Sequence, residues 1–543
     1  MATQKISISF GEKNKLDQNS VELEYKKLTN WSNEPRVMDL QDDLRASKAS
    51  HDAMVSKIRE WLDLIKVEGS ARPKVFGKNR SKIQPKLIRR QGEWRYSALT
   101  ESFLSSDKFF DVEPRTWEDE AGAAQNEILI NYQFDNKLNK VAFIDEYVRT
   151  AYDEGTVFVK VGWYRRTHKE KVTKPVYSFV ELQTEEDLAA LNSAIQLKTE
   201  NPRGYMEQVP EEIQAAVAFM EESGVPCLAI PTGEEVEEEE EIIDENNPTL
   251  EILDYNNIYF DPSCNGDLDK ANFAIITFET SKAELKADGR YKNLDKVLYS
   301  SNSPLNVPDH QTSTPNDFQF KDEARKRIVA YEYWGFYDIK GDGVLVPIVA
   351  TWVGNVMIRM EENPFPDQKI PVVAVPYMPI RKSVTGETDA ELLSDNQQII
   401  GAISRGLIDS IARTANGQRG FAKNMLDLAN RRKFENGEDY EFNPGTDPRM
   451  GIVEHKFGEI SQSALAILEM QNNEAESLTG VKAFTGGISG DAYGKVASGI
   501  RGMLDAASKR EMGILRRLAQ GMVKIGKKII AMNAVFLTEE EVI

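Results

Sequence analysis

The stretch DAELLSDNQQIIGAISRGLIDSIAR, residues 389–413, decides the fold prediction. Its apolar residues recur at helical spacing and predict one long amphipathic helix. They are Leu392, Leu393, Ile399, Ile400, Ile403, Leu407 and Ile411. Residues 414–460 lose this period and indicate a small module of short strands and turns, with one turn at NPGTDP (443–448). A shorter helix is predicted at 461–479, so two helices flank a compact module.

A glycine-rich stretch, TGGISGDAYGK, follows the second helix and precedes a long helix predicted at about 497–536. Four glycines within nine residues remove side chains and admit positive φ, so this stretch is predicted to be a loop that changes shape. In the long helix the apolar residues are spaced by three and four, which is typical of a helix packed along a neighbour. They are Leu515, Leu518, Met522, Ile525, Ile529, Met532 and Phe536.

The chain before residue 389 divides into a helical part and a strand-rich part. Helices are predicted at 37–66, 93–105, 118–136 and 140–153. Alternating β-branched and aromatic residues then begin a strand-rich part at about 155, interrupted by helical inserts at 184–197 and 210–223. The acidic run EEVEEEEEIIDE (234–245) is predicted to be a solvated loop. The fold class expected from these elements is α+β.

Composition excludes several classes of protein. The formal net charge of −20 argues against a polybasic nucleic-acid coat. Two cysteines and four scattered histidines form neither a disulfide framework nor a zinc motif, so no metal or cofactor is expected. The N-terminus lacks an apolar core, and the longest apolar stretch, residues 370–380, is too short for a bilayer. We therefore expect a cytosolic product with reduced thiols and no membrane contact.

Motifs of catalysis are also missing from the sequence. The segment GDAYGKV (490–496) has three residues between its glycines and Val496 in place of a hydroxyl, so it does not match a nucleotide P-loop. No nucleophile elbow, kinase motif set or dinucleotide fingerprint occurs. We therefore expect that the protein is not an enzyme.

Basic residues cluster in three places: residues 72–95, Arg431–Lys433 and the long C-terminal helix. Such clusters bind phosphates or pair with acidic neighbours across a subunit interface, and both interpretations stay open. Arg431, Arg432 and Lys433, beside Asn436 and Gly437, are predicted to lie on a surface turn.

Five blocks of the sequence carry a resemblance to a known family. They are RSKIQPKLIRRQGEWRYSALTESFLSSDKFFDVEPRTWEDEAGAAQNEILINYQF (80–134), FIDEYVRTAYDEGTVFVKVGW (143–163), VAYEYWGFYDIKGDG (329–343), TGETDAELLSDNQQIIGAISRGLIDSIARTANGQRGF (385–421) and a block within 478–520 that contains LTGVKAFTGGISG and KVASGIRGMLDAASKREMGILRRLAQ. In order and spacing they resemble the portal proteins, or head-to-tail connectors, of tailed bacteriophages, particularly the short-tailed podovirus type.

This resemblance implies a portal fold, with an N-terminal arm and a helical and mixed-sheet wing built around a stem, an α/β clip and a channel-side helix. The implied N-terminal boundaries are an arm at 1–36 and a wing at 37–388. Within the wing, residues 37–154 would be helical and residues 155–388 strand-rich, with the acidic loop at 231–247. The implied C-terminal boundaries are stem helices at 389–413 and 461–480, a clip at 414–460, a tunnel loop at 481–497, and a long helix with the start of a crown at 498–543. Relatives continue into a crown after that helix, so a minimal crown and a truncated sequence are both open.

The resemblance also implies partners and site residues. Subunits would form a twelve-fold ring at one vertex of the virion capsid, and double-stranded DNA would pass through it during packaging and ejection. The implied protein partners are the large terminase subunit, tail adaptor proteins and the major capsid protein. Arg431, Arg432 and Lys433 would bind partners at the clip. The tunnel-loop residues near DNA would be Lys482, Gly486, Gly487, Gly490, Lys495 and Arg501.

Two alternatives come from other classes of protein. A DNA-processing packaging enzyme would need a P-loop or a carboxylate metal cluster, and the sequence offers neither. A non-channel adaptor or scaffold that binds through its acidic run would give no reason for the helix–module–helix order.

Overall fold

The structure is a computed structural model that describes most of the chain. The described residues are 27–75, 80–105, 108–181, 185–200, 205, 208–312, 320–416, 418–445, 447, 452–455, 462–480 and 497–538. The chain forms two compact units. The first unit takes the described residues of Met1–Glu93, Thr150–Phe158 and Leu253–Arg510, and the second those of Trp94–Arg149, Val159–Ile252 and Glu511–Ile543.

Helices dominate both ends of the chain. They are α1 (Val37–Lys66), α2 (Leu87–Leu104), α3 (Glu120–Asn136), α4 (Lys140–Glu154), α5 (Glu185–Glu200), α6 (Glu211–Ser223), α7 (Lys282–Asp288), α8 (Asp389–Asn416), α9 (Leu428–Asn436), α10 (Gln462–Thr479) and α11 (Ala497–Phe536). The predicted bounds of α1 and α11 are confirmed, whereas α2 begins at Leu87, before the predicted start at residue 93.

Strands occupy the middle of the chain. They are β1 (Thr156–Glu181), β2 (Cys227–Leu253), β3 (Ile258–Phe260), β4 (Phe273–Ser281), β5 (Arg327–Tyr337), β6 (Val346–Val353), β7 (Val356–Glu362), β8 (Val372–Pro376), β9 (Met378–Pro379), β10 (Gly386–Glu387), β11 (Gln418–Phe421) and β12 (Ile452–His455). Helices occur together with antiparallel sheets, so the predicted α+β class is confirmed.

A five-stranded antiparallel sheet of order β3–β4–β5–β6–β7 forms the core of the first unit. Its strands are rich in β-branched and aromatic residues, which pack well on a pleated surface. Tyr333 of β5 lies opposite Ile275 of β4 and Ala350 of β6. The rings of Tyr331 and Trp352 stack with centroids 5.2 Å apart. Helix α1 covers this layer with the buried side chains of its first turns, including Leu40.

The acidic run does not form the predicted loop. Residues 234–245 lie within β2, the edge strand of a three-stranded sheet of order β2–β1–β8. Asp244 of this strand lies 3.6 Å from Arg166 and 2.7 Å from His168 on β1. The acidic run by itself is too polar to predict as a strand, and its pairing with β1, which carries Arg166 and His168 beside Asp244, offsets part of its charge.

Strands β1 and β2 make a long antiparallel ribbon in the second unit. Trp163 Nε1 donates to Asn246 Oδ1 at one end, and Ser178 Oγ donates to the Ile230 carbonyl at the other, so the strands run in opposite directions. Helices α5 and α6 pack against the far end of this ribbon around buried Leu191, Val217 and Ala229, together with their neighbours.

The second unit also contains α3 and the C-terminal part of α11. Gln133 of α3 and Asn533 of α11 exchange two amide hydrogen bonds of 3.0 Å, both buried. A Cβ on Gly526 would lie 2.8 Å from the Phe110 ring, so glycine is what permits this close approach. Another contact of α11 is made by the buried Tyr147 hydroxyl, which donates to the Leu518 carbonyl at 2.9 Å.

Candidate functional site

Helices α8 and α10 pack as an antiparallel pair in the first unit. Asn396, near the start of α8, donates through Nδ2 to Gln471 Oε1 at 2.8 Å and to Glu474 Oε2 at 3.1 Å, near the end of α10. Between the two helices the chain leaves along β11 and returns along β12, whose residues Gln418 and His455 are paired. The predicted helix–module–helix order is therefore the observed one.

A buried amide on α8 joins the pair to the ends of two other helices. Gln397, which is 2% exposed, donates to the Leu64 carbonyl in the last turn of α1 at 2.8 Å. Its Oε1 accepts the Ile88 N–H, in the first turn of α2, at 3.1 Å. Helix ends leave such carbonyls and N–H groups without partners in their own helix. One side chain of α8 therefore caps α1 and α2 together.

Part of the basic segment at residues 72–95 lies along α8. Arg80 Nη1 is 3.2 Å from Asp409 Oδ2, and the Ser81 N–H donates to Asp409 Oδ1 at 2.7 Å. The backbone hydrogen bond from Ser81 chiefly lowers the pKa of Asp409, and Arg80 lowers it further. A Cβ at Gly401 would overlap the Gln84 side-chain amide, so this segment passes close to the helix. Arg80 thus has an acidic partner within the subunit.

The module between the helices contains a short helix instead of the predicted basic turn. Arg431, Arg432 and Lys433 all lie on α9 and are exposed. Asp427 caps this helix by accepting the Asn430 N–H at 2.7 Å, and the helix ends at Gly437, whose φ is 76°. The prediction of a turn was wrong because the Asp cap and the glycine end mark a helix of under three turns, too short to show an apolar period.

Aromatic contacts hold the module together in place of a large core. The Phe434 ring meets the Tyr440 ring edge-on at 5.0 Å, and Tyr440 meets Phe442 at 5.4 Å. Arg431 also lies 3.3 Å from Glu435, one helical turn away. The side chains of Arg432 and Lys433 are exposed to solvent.

The distal halves of the helix pair expose apolar side chains. Exposed fractions reach 51% for Ile411 on α8 and 57% for Met470 on α10, while Leu393 and Ile400 nearer the start of α8 are buried. Of the apolar stripe predicted on α8, Leu393 and Ile400 are thus covered within the subunit, whereas Ile399 and Ile411 are exposed and the other members are partly exposed.

The predicted tunnel-loop residues Lys482, Gly486, Gly487, Gly490 and Lys495 lie outside the described residues. Arg501 belongs to the first turns of α11. Thus the structure describes the clip triplet in full and, of the tunnel-loop set, only the backbone position of Arg501.

Within the described ranges, the His, Cys, Asp and Glu side chains form no cluster of three or more that could hold a metal ion. Cys227 and Cys264 are free and buried, and burial raises the pKa of both thiols. Across the same described ranges, the helices lack a stretch long and apolar enough to span a bilayer.

The roles of Gln397 and Asn396 in joining helices were not predicted from the sequence. A signal was present, because DNQQ places amides among the apolar residues of one helix. Buried amides are found where they have partners, and here the partners are helix ends and the second helix of the pair.

Two antiparallel helices that flank a small α/β module, attached to helices and antiparallel sheets, are the organisation of a tailed-phage portal protein. The family model described as "Phage SU10 portal protein" matches residues 37–543. The match spans well over half of the chain, so the chain belongs to this family. It is a portal protein, the structural component that forms the DNA-packaging channel at a capsid vertex, as an oligomeric ring with capsid, terminase and tail partners. No observation favours a DNA-processing enzyme or a simple adaptor.

Proposed function

We propose that twelve copies of the chain form a closed ring around double-stranded DNA at one capsid vertex, with no catalytic step of their own. In this assignment α8 and α10 are the stem, residues 414–460 are the clip, and residues 481–497 are the tunnel loop. Residues 1–36 form the arm, 37–388 the wing, and 498–543 the long helix and the start of a crown. The subunits are made in the host cytoplasm and then built into the capsid with the major capsid protein.

The observation that carries this proposal is the uncovered apolar surface of the helix pair. Ile408 and Ile411 on α8, and Leu465, Ile467 and Met470 on α10, are 37–57% exposed. On α10, Leu465 and Ile467 are two residues apart and lie on opposite sides of the helix, and exposed apolar residues on both sides are typical of a helix that partners cover. A ring gives every helix pair a neighbour on each side, so both helices are covered without any change within the subunit.

DNA must slide through the ring, which limits how strongly the channel binds phosphate. Each firm phosphate contact adds salt-dependent affinity and resists movement. We therefore assign the channel a mainly acidic or neutral wall with a few basic rings from Lys482, Lys495 and Arg501. The net charge of −20 supports a channel that does not retain DNA.

Native mass measurement tests the ring directly. We expect the purified chain to form a particle of about twelve subunits, held together by burial of the stem surfaces. A chain that stays monomeric or dimeric across a wide range of protein concentration would exclude the proposed ring. An intermediate closed ring of another size would correct the stoichiometry alone.

The clip is proposed to dock the large terminase subunit during packaging and the tail adaptors afterwards. Replacing Arg431, Arg432 and Lys433 with alanine removes three exposed charges and keeps α9, because alanine is a good helix former. We expect this variant to bind these partners more weakly than the unmodified ring, and the loss of affinity should be larger at low salt than at high salt. The mass of the ring should stay the same.

A matched control removes three exposed charges from a helix outside the module. Lys57, Arg59 and Lys66 of α1 are exposed, and their alanine variant should bind terminase and adaptor as the unmodified ring does. Equal loss of binding in both variants would point to bulk charge, and no loss in the clip variant would contradict the assignment of α9.

A further inference from the structure

Helix α3 carries apolar residues on the side that faces solvent. Ile128 is 73% exposed and Tyr132 is 54% exposed. Trp117, in the turn before the helix, is 83% exposed. Ala121 and Ala124 occupy the rest of this face and are also exposed. The outer face of α3, which we define as Trp117, Ala121, Ala124, Ile128 and Tyr132, is therefore an apolar strip about 22 Å long at 1.5 Å per residue.

The opposite side of α3 is already used within the subunit. Ile130 and Phe134 are fully buried, and Gln133 bonds to Asn533 of α11. A helix with one buried face normally presents charged residues on the other. Since α3 is apolar on both sides, its outer face is built to be covered by something that the single subunit lacks.

The charges of α3 indicate what kind of surface would cover its outer face. Residues 117–136 contain five acidic side chains and no lysine or arginine. Asp119, Glu127 and Asp135 have partners within the subunit, at Thr116, Lys108 and Lys140. Glu118 and Glu120 are exposed at the start of the strip. The covering surface should thus be apolar along its centre and basic beside it.

The same chain presents such a surface on α11. Met512 and Val523 are 44% and 50% exposed, and Arg516 and Lys527 are exposed beside them. Spacings of four, seven and four residues place these four side chains on one side of the helix, which we define as the outer face of α11. Within the described part of the chain neither Arg516 nor Lys527 forms a salt bridge. Residues 511–538 contain five basic side chains and one acidic side chain.

These two surfaces cannot meet within one subunit. Gly526 and Asn533 of α11 contact Ile130 and Gln133 on the inner side of α3. The outer face of α3 therefore points away from its own α11. A contact between two different surfaces of identical subunits is heterologous, and such contacts form a closed ring when the rotation from one subunit to the next closes.

We propose that the outer face of α3 in each subunit docks on the outer face of α11 in the next subunit around the ring. This inference rests on the proposed ring and adds to it a second subunit interface, in the second unit of the chain. Ile128 packs on Val523 with the two helices antiparallel, so that Tyr132 lies toward Met512 and Glu118 and Glu120 lie toward Lys527.

Cross-linking between introduced cysteines tests the contact. The chain with Ile128→Cys and Val523→Cys is assembled, treated with a short bis-maleimide and resolved on a denaturing gel. Because each subunit then links to both neighbours, we expect most of the protein in a ladder of covalent multimers that extends to the ring size. The native cysteines, Cys227 and Cys264, are 3% and 5% exposed and should contribute little.

Controls separate this contact from chance collisions. Ile128→Cys alone and Val523→Cys alone should give no ladder, because the contact joins different positions. A chain with Ile128→Cys and Leu298→Cys has two accessible thiols, since Leu298 is 70% exposed, and should also give no ladder. A ladder from that control, or dimers from either single variant, would contradict the proposed pairing.

A charged side chain on the strip gives a second measurement. Ile128→Glu should fold as a subunit, because residue 128 faces solvent, and should lose rings in favour of monomers on native mass measurement. Rings that form normally in this variant and give no ladder in the cysteine variant would overturn the α3–α11 contact and leave the proposed function intact. Absence of rings from the unmodified chain would instead overturn the proposed function, and this contact with it.

Discussion

Gln397→Leu should loosen the junction between α8 and the ends of α1 and α2. The substitution keeps an apolar stem of similar length and removes both amide groups. It leaves the Leu64 carbonyl and the Ile88 N–H, which bond to Gln397 at 2.8 and 3.1 Å, without their partner. A buried polar group that loses its partner costs about 1–3 kcal/mol, so the two together cost about 2–6 kcal/mol.

Hydrogen exchange measures this effect where it occurs. A cost of about 2 kcal/mol corresponds to about a thirtyfold larger population of the locally opened state. We therefore expect the backbone amides around Ile88 to exchange at least about thirty times faster in the variant, as read by mass spectrometry of the peptide that covers the start of α2. Amides of the five-stranded sheet should change much less, because they lie outside this junction.

The adjacent residue supplies the control. Gln398 has the same side chain on the same helix and is exposed, so Gln398→Leu should leave exchange near Ile88 unaltered. If Gln397→Leu and Gln398→Leu behave alike, the bridging cap does not hold the two helix ends and this reasoning is refuted.

Gln397→Glu adds a pH dependence with a definite sign. A protonated carboxyl can donate to the Leu64 carbonyl and accept from Ile88, whereas burial disfavours the charged form and raises the folded-state pKa of the new carboxyl. Its stabilising effect is then complete below the unfolded pKa of about 4.3 and is lost as the pH rises through the folded pKa. We expect faster exchange near Ile88 at pH 7 than at pH 4.5 after correction for intrinsic rates, and a flat profile for Gln397→Leu.

Three further variants test other parts of the molecule. Tyr147→Phe removes the donor to the Leu518 carbonyl and should lower stability by about 1 kcal/mol in urea unfolding, and an unchanged midpoint would contradict that bond. Burial, and to a smaller extent nearby Asp254, raise the pKa of Glu154 to about 8. The stabilising effect of the protonated Glu154 is therefore complete below about pH 4.3 and is lost as the pH rises through 8. Glu154→Gln should make the thermal stability independent of pH across that window, and a pH profile like that of the unmodified chain would refute this assignment. Gly487→Pro with Gly490→Pro should impair genome packaging more than ring assembly, and equal defects in both would count against a moving tunnel loop.

The local sequence is enough to predict those helices whose apolar residues recur at helical spacing. Helix α11 has apolar residues at spacings of three and four over several turns, and α1 repeats them over thirty residues, so both bounds follow from the pattern. The order of helix, module and helix from residue 389 onward was also readable, because a loss of period and its return are properties of neighbouring residues. The same holds for β5 (Arg327–Tyr337), whose run of β-branched and aromatic residues is typical of a strand.

Tertiary structure alone decided the features that depend on residues far apart in the chain. The acidic run lies in a strand paired with β1, which supplies Arg166 and His168 beside Asp244, and no local rule contains that pairing. Gln397 caps two helices because the last turn of α1 and the first turn of α2 both lie next to α8. In α3, Ile130 and Phe134 are buried while Ile128 and Tyr132 face outward, because the pattern of apolar residues along a helix does not say which of its sides the rest of the fold covers.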